Sequence, residues 1–257
     1  MLNYMRSECY RTLKGKNFYF ATAILSGLVL FLNVVLTIAS HNIPNFRYGS
    51  FRFFLNMYTG SIYCLVVLGA CIAGWLFWDD RKNGVLKNVV SYGISREKMF
   101  LGKCIVAFGF TFLMLCIVLA VYVGSAYLLR PDPEWIALRE MLTGTAAVLP
   151  SAAASLIFAI VLGILFQKDL TAVMIWAVVY YVIPMALFFV GLKVEFVRKI
   201  VEWMPYGFTQ MDAIVTYSDY YCLWDTAAGF SRCIISGFAG IVIFLALGIW
   251  RIRKQEF

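Results

Sequence analysis

Six long apolar stretches dominate the sequence, and each is long enough to cross a lipid bilayer as a helix. A helix rises 1.5 Å per residue, so about 20 apolar residues cross the roughly 30 Å of bilayer hydrocarbon. Almost no charge falls inside the stretches. The clearest exception is Lys103, near the start of the third stretch, where its stem can extend the ammonium group towards the headgroups. The stretches are Asn17–Ser40, Phe54–Trp78, Met99–Leu129, Met141–Phe166, Leu170–Leu192 and Ser231–Trp250.

The composition requires a membrane environment for these stretches. Of the 257 residues, 62% are hydrophobic and 14% are charged, whereas soluble domains are about 45–50% apolar and about 25% charged. We therefore predict an all-α polytopic membrane protein with six transmembrane helices, in one membrane domain over residues 1–257. The first 16 residues carry four basic side chains and only short apolar segments, so we expect no cleavable signal peptide.

The positions of the Lys and Arg residues predict that both termini lie in the cytosol. With that orientation, fourteen of the 22 basic residues fall in cytosolic segments and eight in outer segments, as the positive-inside rule requires. The net charge of +8 therefore reflects membrane topology, and we predict contacts with membrane lipids and no nucleic-acid partner. The predicted location is the cell membrane, with multiple spans.

Residues 1–16 have the pattern of a short amphipathic helix. Met5, Cys9 and Leu13 can share one face with Leu2, while Arg6 and other basic residues lie elsewhere. Such a helix lies flat in the headgroup layer of a membrane. The same residues also fit a simple basic anchor for the first span, and the periodicity alone does not separate the two interpretations.

The cytosolic loop over residues 79–98 alternates helical patterns with breaks. Asn83-Gly84 interrupts the preceding helix, a short apolar helical pattern ends at Tyr92-Gly93, and Ser95 is placed to cap the helix that enters the third span. An amphipathic helix that faces the cytosol suits a groove on a partner protein. Its apolar residues are Val85, Leu86, Val89 and Val90.

This loop resembles the inner loop of type-2 ABC exporter permeases, of the kind that export peptide antibiotics or give immunity to them. That pattern has an acidic residue, Gly-Thr opening a short helix, Pro/Gly-x-Ser-Arg, and a Lys that enters the third span. Two positions depart from it, because Asp80 stands where Glu is more usual and Val85 replaces the Thr. The matching residues are Asp80, Gly84, Gly93, Ser95, Arg96 and Lys103.

The resemblance implies that the N-terminal helix and the loop dock on a separate ATPase. It assigns the docking helix to Met5, Arg6, Cys9 and Leu13. It assigns ATPase coupling to Asp80, Gly84, Leu86, Val89, Val90, Arg96 and Lys103. The chain lacks a Gly-x-x-x-x-Gly-Lys-Ser/Thr loop, so we expect no cofactor on this chain and ATP with Mg on the partner. The expected assembly has two ATPase subunits and a second permease copy, identical or related.

The outer loop over residues 193–230 has an apolar helical face that includes Val197 and Val201. Pro205-Tyr206-Gly207 then turns the chain, and residues 208–215 fit a second short helix. We expect an interfacial or partly re-entrant pair of short helices here, and an ordinary interfacial loop is the alternative. Cys222 and Cys233 fall near the outer surface, and the sequence leaves open whether they form a disulfide.

The spans contain few polar groups that can mark a transport pathway. Asn33 and Asn56 are candidates for lining it, although an Asn in a span more often bonds to a neighbouring helix. Pro150 and Pro184 are expected to kink the fourth and fifth spans. A pathway this poor in charge favours an amphipathic or lipophilic cargo, such as a peptide antibiotic, over an ion.

Two other classes of function are a membrane enzyme and a membrane subunit that transports nothing. A membrane enzyme is disfavoured because His41 is the single histidine and the chain has no His-Glu-x-x-His or Gly-x-Ser-x-Gly motif. Composition alone does not exclude a non-transporting scaffold or sensor subunit. The cytosolic loop distinguishes this subunit from a permease, because only a transporter needs a helix that couples to an ATPase.

Overall fold

The computed structural model describes residues 2–43, 46–82, 93–130, 133–166, 168–210, 213–215 and 220–254. Within these ranges the chain is a bundle of helices with one small hairpin. The helices are α1 (Leu2–Lys14), α2 (Lys16–Asn42), α3 (Phe51–Gly60), α4 (Cys64–Lys82), α5 (Arg96–Leu129), α6 (Trp135–Leu165), α7 (Asp169–Ala177), α8 (Ile183–Gly191), α9 (Glu195–Val201), α10 (Pro205–Gln210) and α11 (Ala227–Lys254). Short 3-10 turns cover Arg47–Gly49 and Leu223–Asp225.

The structure confirms an all-α polytopic membrane protein. Among the described residues, five helices are long and apolar enough to cross a membrane: α2, α5, α6, the continuous segment Asp169–Gly191 that contains α7 and α8, and α11. The bent pair of α3 and α4 makes a sixth if the two count as one span. This count agrees with the six apolar stretches of the sequence.

The second apolar stretch is a broken helix, and our expectation of a single helix through it was wrong. α3 and α4 meet at 61° across residues 61–63. Ser61 Oγ donates to the carbonyls of Met57 and Tyr58, at 2.7 and 3.3 Å, so it competes with the helical backbone for those acceptors. The N–H groups of Cys64 and Leu65 then donate to carbonyls three residues back, which is the tighter 3-10 pattern.

The fifth span is irregular where proline removes a backbone donor. Pro184 cannot donate to the carbonyl of Tyr180, its partner in a regular α-helix. The segment Val178–Val182 is a π-helical turn, in which Ile183 N–H donates to the Val178 carbonyl. The hydroxyl of Tyr63, in the break between α3 and α4, donates to that Tyr180 carbonyl. One hydrogen bond therefore joins the irregular segments of two different spans.

Helix α6 lies at the centre of the bundle, and most of its apolar length is buried. Small residues let its neighbours approach closely. A Cβ at Gly69 of α4 would lie 2.9 Å from the Ala152 carbonyl oxygen, and a Cβ at Gly237 of α11 would lie 2.5 Å from Pro150 Cβ. The hydroxyl of Ser155 donates to the Val66 carbonyl at 2.8 Å and accepts a hydrogen bond from the Trp176 indole at 2.9 Å, so this one serine links α4, α6 and α7.

The two ends of the bundle differ in character. At the terminal end, which we define by Glu8, Lys103 and Arg253, helix α1 and the last turn of α11 meet the start of α5. At the opposite, hairpin end, Ala213–Val215 (β1) pairs antiparallel with Tyr220–Cys222 (β2). The prediction of a helix through residue 215 was therefore wrong: α10 ends at Gln210 and the chain continues as a strand.

The first short helix predicted for the outer loop is present as α9. The predicted turn at Pro205-Tyr206-Gly207 was wrong, because these residues form the first half of α10 and the chain turns before them, at residues 202–204. Proline is tolerated there because the first N–H of a helix has no partner within the helix. α9 and α10 are separated by a tight turn in which Val201 and Gly207 come close: a Cβ at Gly207 would overlap the Val201 carbonyl oxygen. Cys222 and Cys233 are both buried free thiols in the structure. Burial raises the pKa of Cys222 to about 12, so its thiol is protonated at neutral pH and reacts slowly.

We predict that Tyr63→Phe lowers the free energy of unfolding by about 1 kcal/mol. Pro184 has no N–H to donate to the Tyr180 carbonyl, and the variant also removes the hydroxyl that donates to it. The measurement is the thermal unfolding midpoint of the purified protein in detergent. Tyr181→Phe is the matched control, since its side chain is in the same π-helical turn but is 47% exposed. Equal midpoints for the two variants contradict the prediction.

Candidate functional site

Helix α1 packs across the first turns of α5, and a glycine permits the close approach. A Cβ at Gly102 would lie 3.0 Å from Cδ1 of the Tyr4 ring and 3.5 Å from Met5 Cγ. The buried residues of α1 are Tyr4, Glu8 and Thr12, four residues apart along one face. Tyr4 joins the core cluster that includes the start of α5 and the end of α11, so α1 is part of the bundle's packing at the terminal end.

A buried ion pair lies at the centre of this contact. Lys103 Nζ is 3.5 Å from Glu8 Oε1, and Arg11 donates to Glu8 Oε2 at 2.6 Å. Lys103 is 1% exposed and Glu8 4% exposed, so the expected extension of the Lys103 ammonium to the headgroups was wrong. A buried charge is costly without its partner. The pair therefore fixes α1 to α5 at one register.

The four residues predicted for the docking helix lie on different sides of α1. Met5 and Cys9 are half-buried and pack against the cluster that contains Phe18 and Phe110. Arg6 is exposed, and Leu13 is 47% exposed. Their role in docking stays a prediction. The exposed surface of α1 combines basic and apolar side chains, with Leu2, Arg6, Tyr10, Leu13 and Lys14 among them.

The start of α5 meets the end of α11 beside this joint. Arg253 Nε donates to Glu97 Oε1 at 2.6 Å, between side chains that are 63% and 41% exposed. Ser95 occupies the N-cap position of α5, as predicted, although its side chain makes no capping hydrogen bond. Gly93 has φ of 80°, a left-handed conformation that suits glycine at a helix end. Arg96, a predicted coupling residue, is the first residue of α5 and is half-buried.

Four of the seven predicted coupling residues lie outside the described residues. This holds for Gly84, Leu86, Val89 and Val90. Asp80 falls in the last turn of α4. Of the seven predicted coupling residues, the structure therefore places Lys103 against α1 and Arg96 at the start of the same helix, α5.

The two asparagines predicted for the pathway are both buried, and Asn33 bonds neighbouring groups at the hairpin end. Asn33 Nδ2 donates to Ser125 Oγ at 2.9 Å, and Asn33 Oδ1 accepts from Arg130 Nε at 2.9 Å. Arg130 also donates to the Gly49 carbonyl at 2.8 Å. Asn33 therefore acts as an interhelical bond between α2 and α5, the more common use of an asparagine in a span. Asn56 is buried in α3.

A cavity of about 300 Å³ opens at mid-height in the bundle. Neither Asn33 nor Asn56 lines it. Its walls come from α2, the α3–α4 break, α5 and α6, and we call it the α2–α4 cleft. Representative lining residues are Leu28, Ser61, Cys64, Met114, Leu115 and Ala153.

The sequence did not predict the pairing of Glu8 with Lys103 or the hydrogen bond between Tyr63 and Tyr180. Glu8 is the single acidic residue among the first 16, in a segment otherwise basic in charge, and that isolation was a usable signal. A lone carboxylate on a basic helix is a candidate partner for a lone Lys in a span. Nothing in the local sequence of Tyr63 marks its partner, because Tyr180 lies 117 residues away.

The apolar helices of the described residues define a multi-pass membrane protein. Residues 5–198, well over half of the chain, match the sequence model of a family described as ABC-2 family transporter protein. This chain belongs to the ABC-2 transporter family, as the resemblance in the cytosolic loop implied, and is a permease subunit of an ABC transporter. No curated protein sequence matches the chain significantly. Permeases of this family generally work with an ABC ATPase partner.

We predict that Glu8→Gln costs about 3 to 5 kcal/mol of the free energy that docks α1, because Lys103 then stays buried beside a neutral amide. Helix α1 is expected to detach, and Cys9, which is half-buried on α1, is expected to react faster with a maleimide. The measurement is the Cys9 alkylation rate by peptide mass spectrometry in detergent.

Glu97→Gln is the matched control for this variant. It removes an ion pair at the same end, but between exposed side chains, where solvent screens the charges and the pair contributes little to stability. A double variant, Glu8→Met with Lys103→Met, is expected to restore slow alkylation, because it removes both buried charges. The same Cys9 rate in Glu8→Gln as in the unmodified protein rules out the ion pair as the docking contact.

Proposed function

We propose that this chain is the permease of an ATP-driven exporter, which moves an amphipathic or lipophilic molecule with energy from a separate ATPase subunit. The observation that carries the proposal is the buried contact between Glu8 of α1 and Lys103 of α5. It joins a short helix with an exposed basic and apolar surface to a helix of 34 residues, and that length exceeds what one span requires.

The contact supports a mechanical role for α1 and α5. A partner that binds the exposed surface of α1 moves a helix that is fixed to α5 by Glu8, Tyr4 and Gly102. Since packed helices move as rigid elements, displacement at the terminal end is carried along α5 into the membrane. The loop over residues 79–98 enters α5 at Arg96, so both predicted docking elements act on the same helix.

Several features support an amphipathic or lipophilic cargo and a cytosolic terminal end. The described spans hold few charged side chains, and Lys103 is paired with Glu8, so no free ionisable chain marks an ion route. Both termini lie at one end of the bundle, as an even number of spans requires, and the excess of Lys and Arg favours the cytosol for that end. A peptide antibiotic or a lipid fits such a pathway.

The proposed assembly contains two copies of a permease and two ATPase subunits, with ATP and Mg bound on the ATPases. This chain supplies the docking surface at the terminal end and half of the pathway. The alternative, a scaffold or sensor subunit that transports nothing, has no specific observation in its favour. It is the outcome that remains if the coupling experiment fails.

We predict that Arg96→Glu leaves the complex assembled in the membrane but separates ATP hydrolysis from transport. Reversing the charge at the first residue of α5 disturbs the joint where the loop enters the span. The measurement is ATP hydrolysis by the copurified ATPase in proteoliposomes, with and without a panel of peptide antibiotics and lipids, beside uptake of the same compounds.

Arg139→Glu is the matched control, since Arg139 is exposed on α6 at the hairpin end. It is expected to behave as the unmodified protein. A helix-breaking change in the loop, Val89→Pro, is expected to have the same effect as Arg96→Glu. If no ATPase copurifies, or if Arg96→Glu and Val89→Pro both retain coupled transport, the proposal of an ATP-driven exporter fails.

The orientation has its own test. We predict that a cysteine introduced as Lys254→Cys is protected from a membrane-impermeant maleimide in intact cells, whereas Arg139→Cys is labelled. Both positions are exposed in the structure, so the difference reports the side of the membrane. Labelling of Lys254→Cys in intact cells reverses the proposed orientation.

A further inference from the structure

The α2–α4 cleft lies at the depth of the bilayer's hydrocarbon centre. Its α2 wall includes Leu25, Leu28 and Leu32, which lie within about 6 Å of the midpoint of that helix at 1.5 Å per residue. Its α5 wall includes Thr111, Met114 and Leu115, near the midpoint of that span. Lipid at this depth presents hydrocarbon chains to the bundle, not water.

The polar groups around the cleft are already bonded within the protein. Tyr58 Oη shares a hydrogen bond with Thr145 Oγ1 at 3.0 Å, the Tyr122 hydroxyl donates to the Phe54 carbonyl, and Ser61 Oγ donates to the Met57 carbonyl. Among the lining residues that the structure describes, Thr111 Oγ1 has no hydrogen-bond partner.

A buried water needs two to four polar partners, and a single hydroxyl does not supply them. An apolar occupant is therefore favoured over water. The cleft, at about 300 Å³, is roughly twice the apolar cavity of about 150 Å³ that holds benzene. By that scale it accommodates a segment of roughly ten to twelve carbons.

The shape of the cleft depends on the break in the second span. Ser61, Ile62 and Cys64, which lie in or next to the break, form part of its lining. If α3 continued straight into α4, these residues would follow the line of one helix. The 61° bend instead sets α3 and α4 at an angle, and the cleft lies against that bend.

From these observations we infer that the α2–α4 cleft is a binding site for one hydrocarbon chain of an amphiphile, with its polar group outside the cleft. Binding is by apolar burial, and no polar contact at the chain is required. The inference does not rest on the proposed transport function, because the site is formed by this chain alone. A membrane phospholipid and a single-chain amphiphile, such as an acylated peptide, supply the same chemistry.

The test is photo-crosslinking of the purified chain, without any ATPase, in phosphatidylcholine vesicles. One arm contains a trace of phosphatidylcholine with a diazirine in the middle of an acyl chain. The other arm contains a peptide with a twelve-carbon acyl chain that carries the diazirine. Adducts are mapped by mass spectrometry at Met114, which lines the cleft and is 3% exposed, and at Phe31, which is 66% exposed on the outer face of α2.

The expected result is a Met114 adduct in at least one arm, in addition to the Phe31 adduct that contact with bulk lipid produces. Leu115→Trp fills the cleft from α5 and is expected to abolish the Met114 adduct while the Phe31 adduct persists. Leu113→Trp is the matched control, since Leu113 is 46% exposed on the same helix and does not line the cleft. It is expected to leave both adducts unchanged.

A second variant keeps the test independent of how Leu115→Trp folds. Ala153→Val narrows the cleft from the opposite wall, on α6, and is also expected to reduce the Met114 adduct. A Met114 adduct in the phospholipid arm identifies a membrane lipid as the source, and one in the acyl-peptide arm alone identifies a single-chain amphiphile. The absence of a Met114 adduct in both arms, or adducts that neither filling variant reduces, overturns the inference.

Discussion

The constraint on which this structure depends is that a backbone carbonyl inside a bilayer finds no water to bond. Each irregular backbone segment in a span must therefore find a partner within the protein. Pro184 withdraws the regular partner of the Tyr180 carbonyl, and the Tyr63 hydroxyl replaces it. Because Tyr63 itself lies in the break between α3 and α4, the two irregular spans stabilise each other. The bend of one span and the π-helical turn of the other are parts of a single arrangement, and the α2–α4 cleft lies beside it.

Hydropathy predicted the spans because the information is local. Each stretch contains enough apolar residues to cross the bilayer, whatever its neighbours are. The break at residues 61–63 was not predictable in this way. A serine and a glycine occur in an apolar window that satisfies the length requirement without a bend, and the donor that stabilises the broken form acts on a carbonyl 117 residues away. Pro184 predicted a kink, but its local sequence does not show that the Tyr63 hydroxyl donates to the Tyr180 carbonyl. The hairpin was missed because residues 208–215 fit a short helix by composition.

The candidate site also combines a residue that the sequence predicted with contacts that only the structure shows. The resemblance selected Lys103 from its place in a motif, and the structure supplies the partner that no local pattern reveals, since Glu8 and Lys103 are 95 positions apart. The apolar residues of residues 1–16 drew attention to Leu2 and Leu13, which are exposed, whereas the face that packs on α5 carries a tyrosine, a glutamate and a threonine. Patterning on apolar residues fails here because a buried ion pair forms the centre of the contact. The sequence left two roles open for Asn33, lining a pathway or bonding a neighbouring helix. Its hydrogen bonds to Ser125 and Arg130 favour the second role.

The Glu8–Lys103 pair also determines when the terminal end can form during synthesis. Helix α1 is made first, yet its partner emerges only after the second span and the cytosolic loop have been completed. Until then the Lys103 ammonium group is absent, and the buried contact between Glu8 and α5 cannot form. Contacts between residues far apart in sequence form late, because a long loop must close before they contribute. The packed contact between α1 and α5 is therefore assembled only once the third span is inserted, so an unfinished or misinserted chain lacks this ordered part of the bundle.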